Sequence, residues 1–230
     1  QMPQITTISV EDVVSRAPQV KALDDAWLMA NPPDAFVCSQ GFEDRCDAIA
    51  NLLVSNGIRL DVVVVVTLDS NSDEDLKNGR RIADMLEPFT NRAVAFVNGD
   101  DSDFPQRLKE VLGGDPLTED DQKHILLDIS VAANRACIRS VAACLHYKAE
   151  LTIGYTEAEV YHPTSVEFQT NEAAWMSDGS LGTEMGVGDI RPCEEFPGEH
   201  LEAASNVVVL LPSFRHERSA AIISHVDPAL

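Results

Sequence analysis

An aspartate closes the apolar run Ile125-Leu126-Leu127-Asp128-Ile129, and a carboxylate at the end of a buried strand must find donors, a cation or a ligand hydroxyl. Asp128 is therefore the first candidate for chemistry, as a general base acting directly or through a water if burial lifts its pKa toward neutrality. Its alternative is structural: bonds to backbone amides just beyond the strand, with Ser130 as the N-cap of the helix that follows. Asn134 and Arg135 come one turn later, close enough to face the same crevice, and Arg135 could equally pair with Asp128.

Two further apolar runs break in a similar way. Ala35-Phe36-Val37-Cys38 is followed by Ser39, Gly41, Phe42, Glu43 and Arg45, and Val207-Val208-Val209-Leu210-Leu211 is followed by Ser213, Phe214 and Arg218. Arg45 either pairs with the acidic residues beside it or offers its guanidinium to a ligand phosphate. Tyr155 ends a fifth apolar stretch, where a phenol ring can stack on a base or bond a sugar. If the strands are parallel neighbours, these junctions open on one sheet edge, where α/β folds bind ligands.

The better-known signatures are missing. There is no G-x-x-x-x-G-K-[ST] phosphate loop, and the first strand is followed by the single glycine Gly41 rather than G-x-G-x-x-G. His200-Leu201-Glu202 lacks the downstream P-C-x-x-C of a zinc deaminase, and Ser213 lacks the G-x-S-x-G of an esterase. No metal set is expected, and the cofactor, if any, is left unidentified.

The elements that must position these residues follow from pattern. Residues 1–33 read as an N-terminal helical segment stopped by Asn31-Pro32-Pro33. From residue 34 to 230 the order β-α-β-α-β-α-β-α-β, then a long insertion at 157–205, then β-α, predicts one α/β domain. Its form is a three-layer, doubly wound, mostly parallel Rossmann-like sheet of about six strands. The strand over Leu60–Leu68 contains Val62 to Val66 in unbroken succession, which suits the centre of a parallel sheet covered on both faces. The sixth strand is expected over Asn206–Leu211.

Composition bounds the partners. Against 38 acidic residues stand 17 basic ones, a net charge of −21, so direct binding of nucleic acid or an anionic membrane is disfavoured. The charge is read in two ways, as adaptation to salt or as an acidic face for a basic partner protein. Five scattered cysteines fit a reducing cytoplasm.

Taken together, G-F-E-x-R at Gly41 to Arg45, D-I-S at Asp128 to Ser130, Y-T-x-A-x-x-Y at Tyr155 to Tyr161 and S-F-x-x-E-R at Ser213 to Arg218 carry a resemblance. The combination resembles uncharacterised prokaryotic Rossmann-like proteins of conflict and anti-phage gene clusters. The resemblance implies the fold and a defence setting. The resulting expectation is a cytoplasmic sensor or effector component that binds a nucleotide-like or small anionic ligand at the strand C-termini. Its rival is a catalytically silent acidic subunit that docks a basic protein. Oligomeric state is left open.

Overall fold

The computed structural model describes residues 20–69, 72–113, 123–145, 150–160, 164–167, 169–170 and 194–195. Five strands follow the expected positions: β1 Ala35–Ser39, β2 Val62–Thr67, β3 Ala95–Asn98, β4 His124–Asp128 and β5 Glu150–Gly154. All pair in parallel, in the order β3-β2-β1-β4-β5. Helices α1 Asp25–Ala30, α2 Ala48–Ser55, α3 Asp73–Leu86, α4 Phe104–Leu112 and α5 Asn134–Leu145 flank this sheet. The expected sixth strand lies outside the described residues.

Alternation along the strands divides the core. Val37, Val62, Val64, Val97, Ile125 and Leu127 pack with Phe104, Leu108, Ala136 and Ala143 of α4 and α5. Phe36, Cys38, Val63, Val65 and Leu126 pack with Leu28, Ile49, Leu53, Ile82 and Leu86 of α1, α2 and α3. Because β2 sits between β3 and β1, its five valines are all buried, which is why its sequence shows no polar alternation. Leu60, outside the strand proper, makes an isolated bridge to Thr90.

Local chemistry accounts for the ends of the elements. Ser72 and Asp75 form a reciprocal capping box at the start of α3, satisfying two otherwise orphaned amides. Gly57, at φ 63°, takes the left-handed turn after α2. Two sequence expectations shift. The helix expected from Glu43 opens as a 3-10 turn at Asp44–Asp47 before α2. The helix expected from Val131 begins at Asn134, after a tight turn in which the Ala132 amide donates to the Ile129 carbonyl.

Candidate functional site

The chain reverses direction across the sheet between β1 and β4. From β1 it winds outward to β2 and β3, and β4 then returns to the other side of β1. Loops leaving β1 and β4 therefore diverge and leave a crevice at the C-terminal edge. A cleft of about 600 Å³ lies at this same edge between the loops after β1 and β5, lined by Phe42, Glu43, Asp44, Arg45 and Ala48 on one side and by residues 156–160 on the other.

Arg45 is the central polar group of this cleft. Its Nε donates to Glu43 Oε2 at 2.8 Å, and its Nη1 donates to the Tyr155 hydroxyl at 3.0 Å and the Thr156 carbonyl at 2.8 Å. The guanidinium also lies 5.3 Å from the Tyr155 ring centroid, within range of a cation–π contact. Partial burial works against its charge, but the bonds to Glu43 and Tyr155 outweigh that and raise its pKa above the ordinary arginine value. Among the described residues, Nη2 has no hydrogen-bond partner, so one edge of the guanidinium is available.

Asp128 stands behind the cleft rather than on its wall, buried at 3% exposure. Its Oδ1 accepts both the Ser130 amide at 2.8 Å and the Ser130 hydroxyl at 2.5 Å. Oδ2 accepts nothing from a described residue. Burial pushes this carboxyl above the usual aspartate range, against the opposing pull of the Ser130 bonds and of the Arg45 charge. The Asp128 charge in turn adds to the effect of burial in raising the Cys38 thiol.

Ser130 is not a helix cap. Its hydroxyl donates to Asp128 and accepts the Thr156 amide at 2.8 Å, so it joins the ends of β4 and β5. The helix start lies four residues further on, too far for this side chain to serve it.

The remaining sequence candidates divide clearly. Ser39 ends β1 and is buried, while Gly41 packs so closely that an added Cβ would come within 2.9 Å of the Val131 side chain. Asn78 of α3 donates to the Gly41 carbonyl at 2.8 Å and holds this loop from the other side. Phe42 is 67% exposed and lines the cleft, and Tyr155 is half-exposed beside it. Asn134 and Arg135 are exposed at the start of α5 and do not line the cleft. Arg135 pairs with Asp100 at 3.6 Å rather than with Asp128. Ser213, Phe214 and Arg218 lie outside the described residues.

Several site residues escaped the sequence reading. Glu157, Ala158, Glu159 and Val160 follow Tyr155-Thr156 directly, yet they were assigned to the insertion rather than to the crevice. Asp44, Glu157 and Glu159 make no ion pair with a described residue. Arg139 was also missed, although it is a basic residue one turn beyond Arg135 in a helix rich in small side chains. It is 4% exposed, donates to the Gly99 carbonyl at 2.6 Å, the Ser102 carbonyl at 3.2 Å and Glu195 Oε1 at 2.5 Å, and lies over the Phe104 ring.

Among the described residues no cluster of histidine, cysteine, aspartate and glutamate could hold a metal ion, and no helix is long and apolar enough to cross a membrane. Comparison with protein-family models, curated proteins and solved structures returned no match for this chain.

Proposed function

We propose that this is a Rossmann-like ligand-binding domain, a three-layer sandwich completed by a sixth strand over Asn206–Leu211, whose site is the cleft between the β1 and β5 loops. The observation that carries the reading is a cleft between the loops that leave the C-terminal ends of β1 and β5 in a parallel sheet, with Arg45 held at its centre by three hydrogen bonds. The ligand is nucleotide-like. Phe42 offers an exposed aromatic face for a base, and the carboxylates of Asp44, Glu157 and Glu159 accept from sugar hydroxyls. The open edge of Arg45 meets an acceptor or anionic group. Three carboxylates without an ion pair among the described residues, against one guanidinium already paired with Glu43, place the weight of recognition on the nucleoside portion, since a small free anion would be repelled. A sensor or effector role in a cytoplasmic defence system follows from the motif resemblance.

A second reading rests on those same carboxylates. With the net charge of −21, they suit a basic partner protein whose lysine or arginine side chain enters the cleft.

Isothermal titration with adenosine, inorganic phosphate and a lysine-rich peptide separates the readings. Adenosine binding that weakens at least tenfold in Phe42→Ala supports the first. Binding of the peptide alone supports the second, and binding of phosphate alone overturns the assignment of the carboxylates.

A further inference from the structure

The polar connections around the cleft run in one direct line. The β4–β5 ladder ends with the Ile129 amide donating to the Gly154 carbonyl at 3.0 Å, after which a parallel pair has no further backbone rung. Ser130 supplies the next rung from its side chain, accepting the Thr156 amide at 2.8 Å. The other face of the same residue, the Thr156 carbonyl, accepts Arg45 Nη1 at 2.8 Å. Thr156 is thus held through its amide on the buried side and holds Arg45 through its carbonyl on the cleft side.

A serine hydroxyl has one proton and can rotate, so alone it would point in no fixed direction. Here Asp128 Oδ1 takes that proton at 2.5 Å, which leaves the lone pairs of Oγ facing Thr156. Oδ1 is itself fixed by the Ser130 amide at 2.8 Å. Both Asp128 and Ser130 are 3% exposed, so water does not compete for either bond.

We propose that Ser130 is a positioning residue for the cleft: without touching the ligand, it sets the direction of the Arg45 guanidinium by fixing the Thr156 backbone, whose amide and carbonyl belong to successive peptide units joined at one Cα. The inference rests on the ligand-binding reading for its consequence, but its geometry can be tested in the free protein. Glu43 and the Tyr155 hydroxyl give Arg45 two further contacts, and both come from side chains more exposed than the Thr156 backbone, which is bonded through its amide and through its carbonyl. Loss of Ser130 therefore loosens Arg45 even though neither of those contacts is altered.

The test combines hydrogen exchange in the wild type with nuclear magnetic resonance of the Arg45 Nη1–H groups, which donate to the Thr156 carbonyl, assigned by their loss in Arg45→Lys. In the wild-type protein the Thr156 amide should be protected to a degree similar to that of Ile129. Exchange at the rate of an open loop amide would overturn the inference at once. In Ser130→Ala the Arg45 Nη1–H groups should exchange at least tenfold faster, whereas Asp128→Asn, whose Oδ1 still accepts the Ser130 hydroxyl, should retain the wild-type rate. If Ser130→Ala does not fold, Ser130→Cys keeps the volume with a much weaker hydrogen bond and should show the same acceleration. An unchanged Arg45 signal in a folded Ser130 variant refutes the positioning role. Adenosine affinity, measured in parallel, should fall at least tenfold in the variant. Failure of the wild type to bind adenosine counts against the nucleoside reading alone, because the exchange measurements stand without a ligand.

Discussion

Arg139 and Glu195 lie 56 positions apart in the chain, yet Nε of one donates to Oε1 of the other at 2.5 Å. The other acceptors of Arg139 are carbonyls, so Glu195 supplies the only full negative charge paired with this guanidinium among the described residues. Residue 195 belongs to the stretch read from sequence as an insertion, and this pair fastens it to the end of β3 and to α5. Removing Glu195 leaves an arginine with 5% side-chain exposure and no counter-charge among the described residues. Glu195→Ala should therefore cost about 3 kcal/mol in urea unfolding at neutral pH. A loss below about 0.5 kcal/mol would show that the pair contributes no more than a surface contact.

Asp128 separates charge from geometry. Since burial raises its pKa in the folded state, the ionised form is the costly one, and the asparagine variant escapes that cost while keeping an acceptor for Ser130. Asp128→Asn should change stability at pH 7 by less than about 1 kcal/mol, whereas Asp128→Ala, which leaves the buried Ser130 groups unpaired, should lose about 1 to 3 kcal/mol. Equal losses in both variants would assign the stabilisation to the charge instead.

The same group sets a pH dependence with a definite sign. A carboxyl whose folded pKa is raised contributes stability fully below its unfolded value of 3.8, and that contribution is lost as pH rises through the folded value. Relative to Asp128→Asn, the wild type should thus be progressively less stable as pH climbs from about 4 toward neutrality. A difference between the two that is flat across this range, or slopes the other way, contradicts the raised pKa.

The excess of 38 acidic over 17 basic residues should make stability respond to screening. The melting temperature should climb between low salt and about 1 M salt, where the Debye length falls to roughly 3 Å. A flat profile would mean that the acidic charges are paired locally.

Thiol labelling reports on the core. Burial pushes the Cys144 thiol up to about 12, and Cys38, buried beside Asp128, is raised well above the ordinary value. Neither forms thiolate near pH 8, so both should resist iodoacetamide in the native protein and react once urea is added. Labelling of Cys38 at the unfolded rate under native conditions would place it nearer the surface.

Much of the scaffold was legible in the sequence because it depends on local pattern. The run from Val62 to Val66 identified a strand buried on both faces, and Asn56-Gly57 and Asn31-Pro32-Pro33 marked helix ends through backbone rules that need no tertiary context. Strand order was not legible to the same degree, because whether β1 takes β4 as its second neighbour depends on contacts between distant residues. The site followed the same division. Phe42, Arg45 and Tyr155 were recognisable by their places at strand ends, and they meet around one cleft edge. The roles of Ser130 and Arg135 were misjudged because each depends on where α5 begins: the turn at Ile129 to Ala132 delays the helix, frees Ser130 for Thr156 and carries Arg135 to Asp100. Arg139 drew no notice in the sequence, because its acceptors come from Gly99, Ser102 and Glu195, far away in the chain.

The placement of β1 between β2 and β4 also governs how the chain can be made. Ala35 pairs with Val62 soon after both are synthesised, but its other partner is Ile125, about 90 residues later. Until that segment leaves the ribosome, β1 presents a bare apolar edge, next to the valine-rich β2, with no native partner to cover it. Nascent chains truncated between β3 and β4 are therefore the form of this protein most prone to aggregate and most dependent on a chaperone. Closing so long a loop before β4 can dock makes that docking the slow step of folding, with the cleft assembled only at the end.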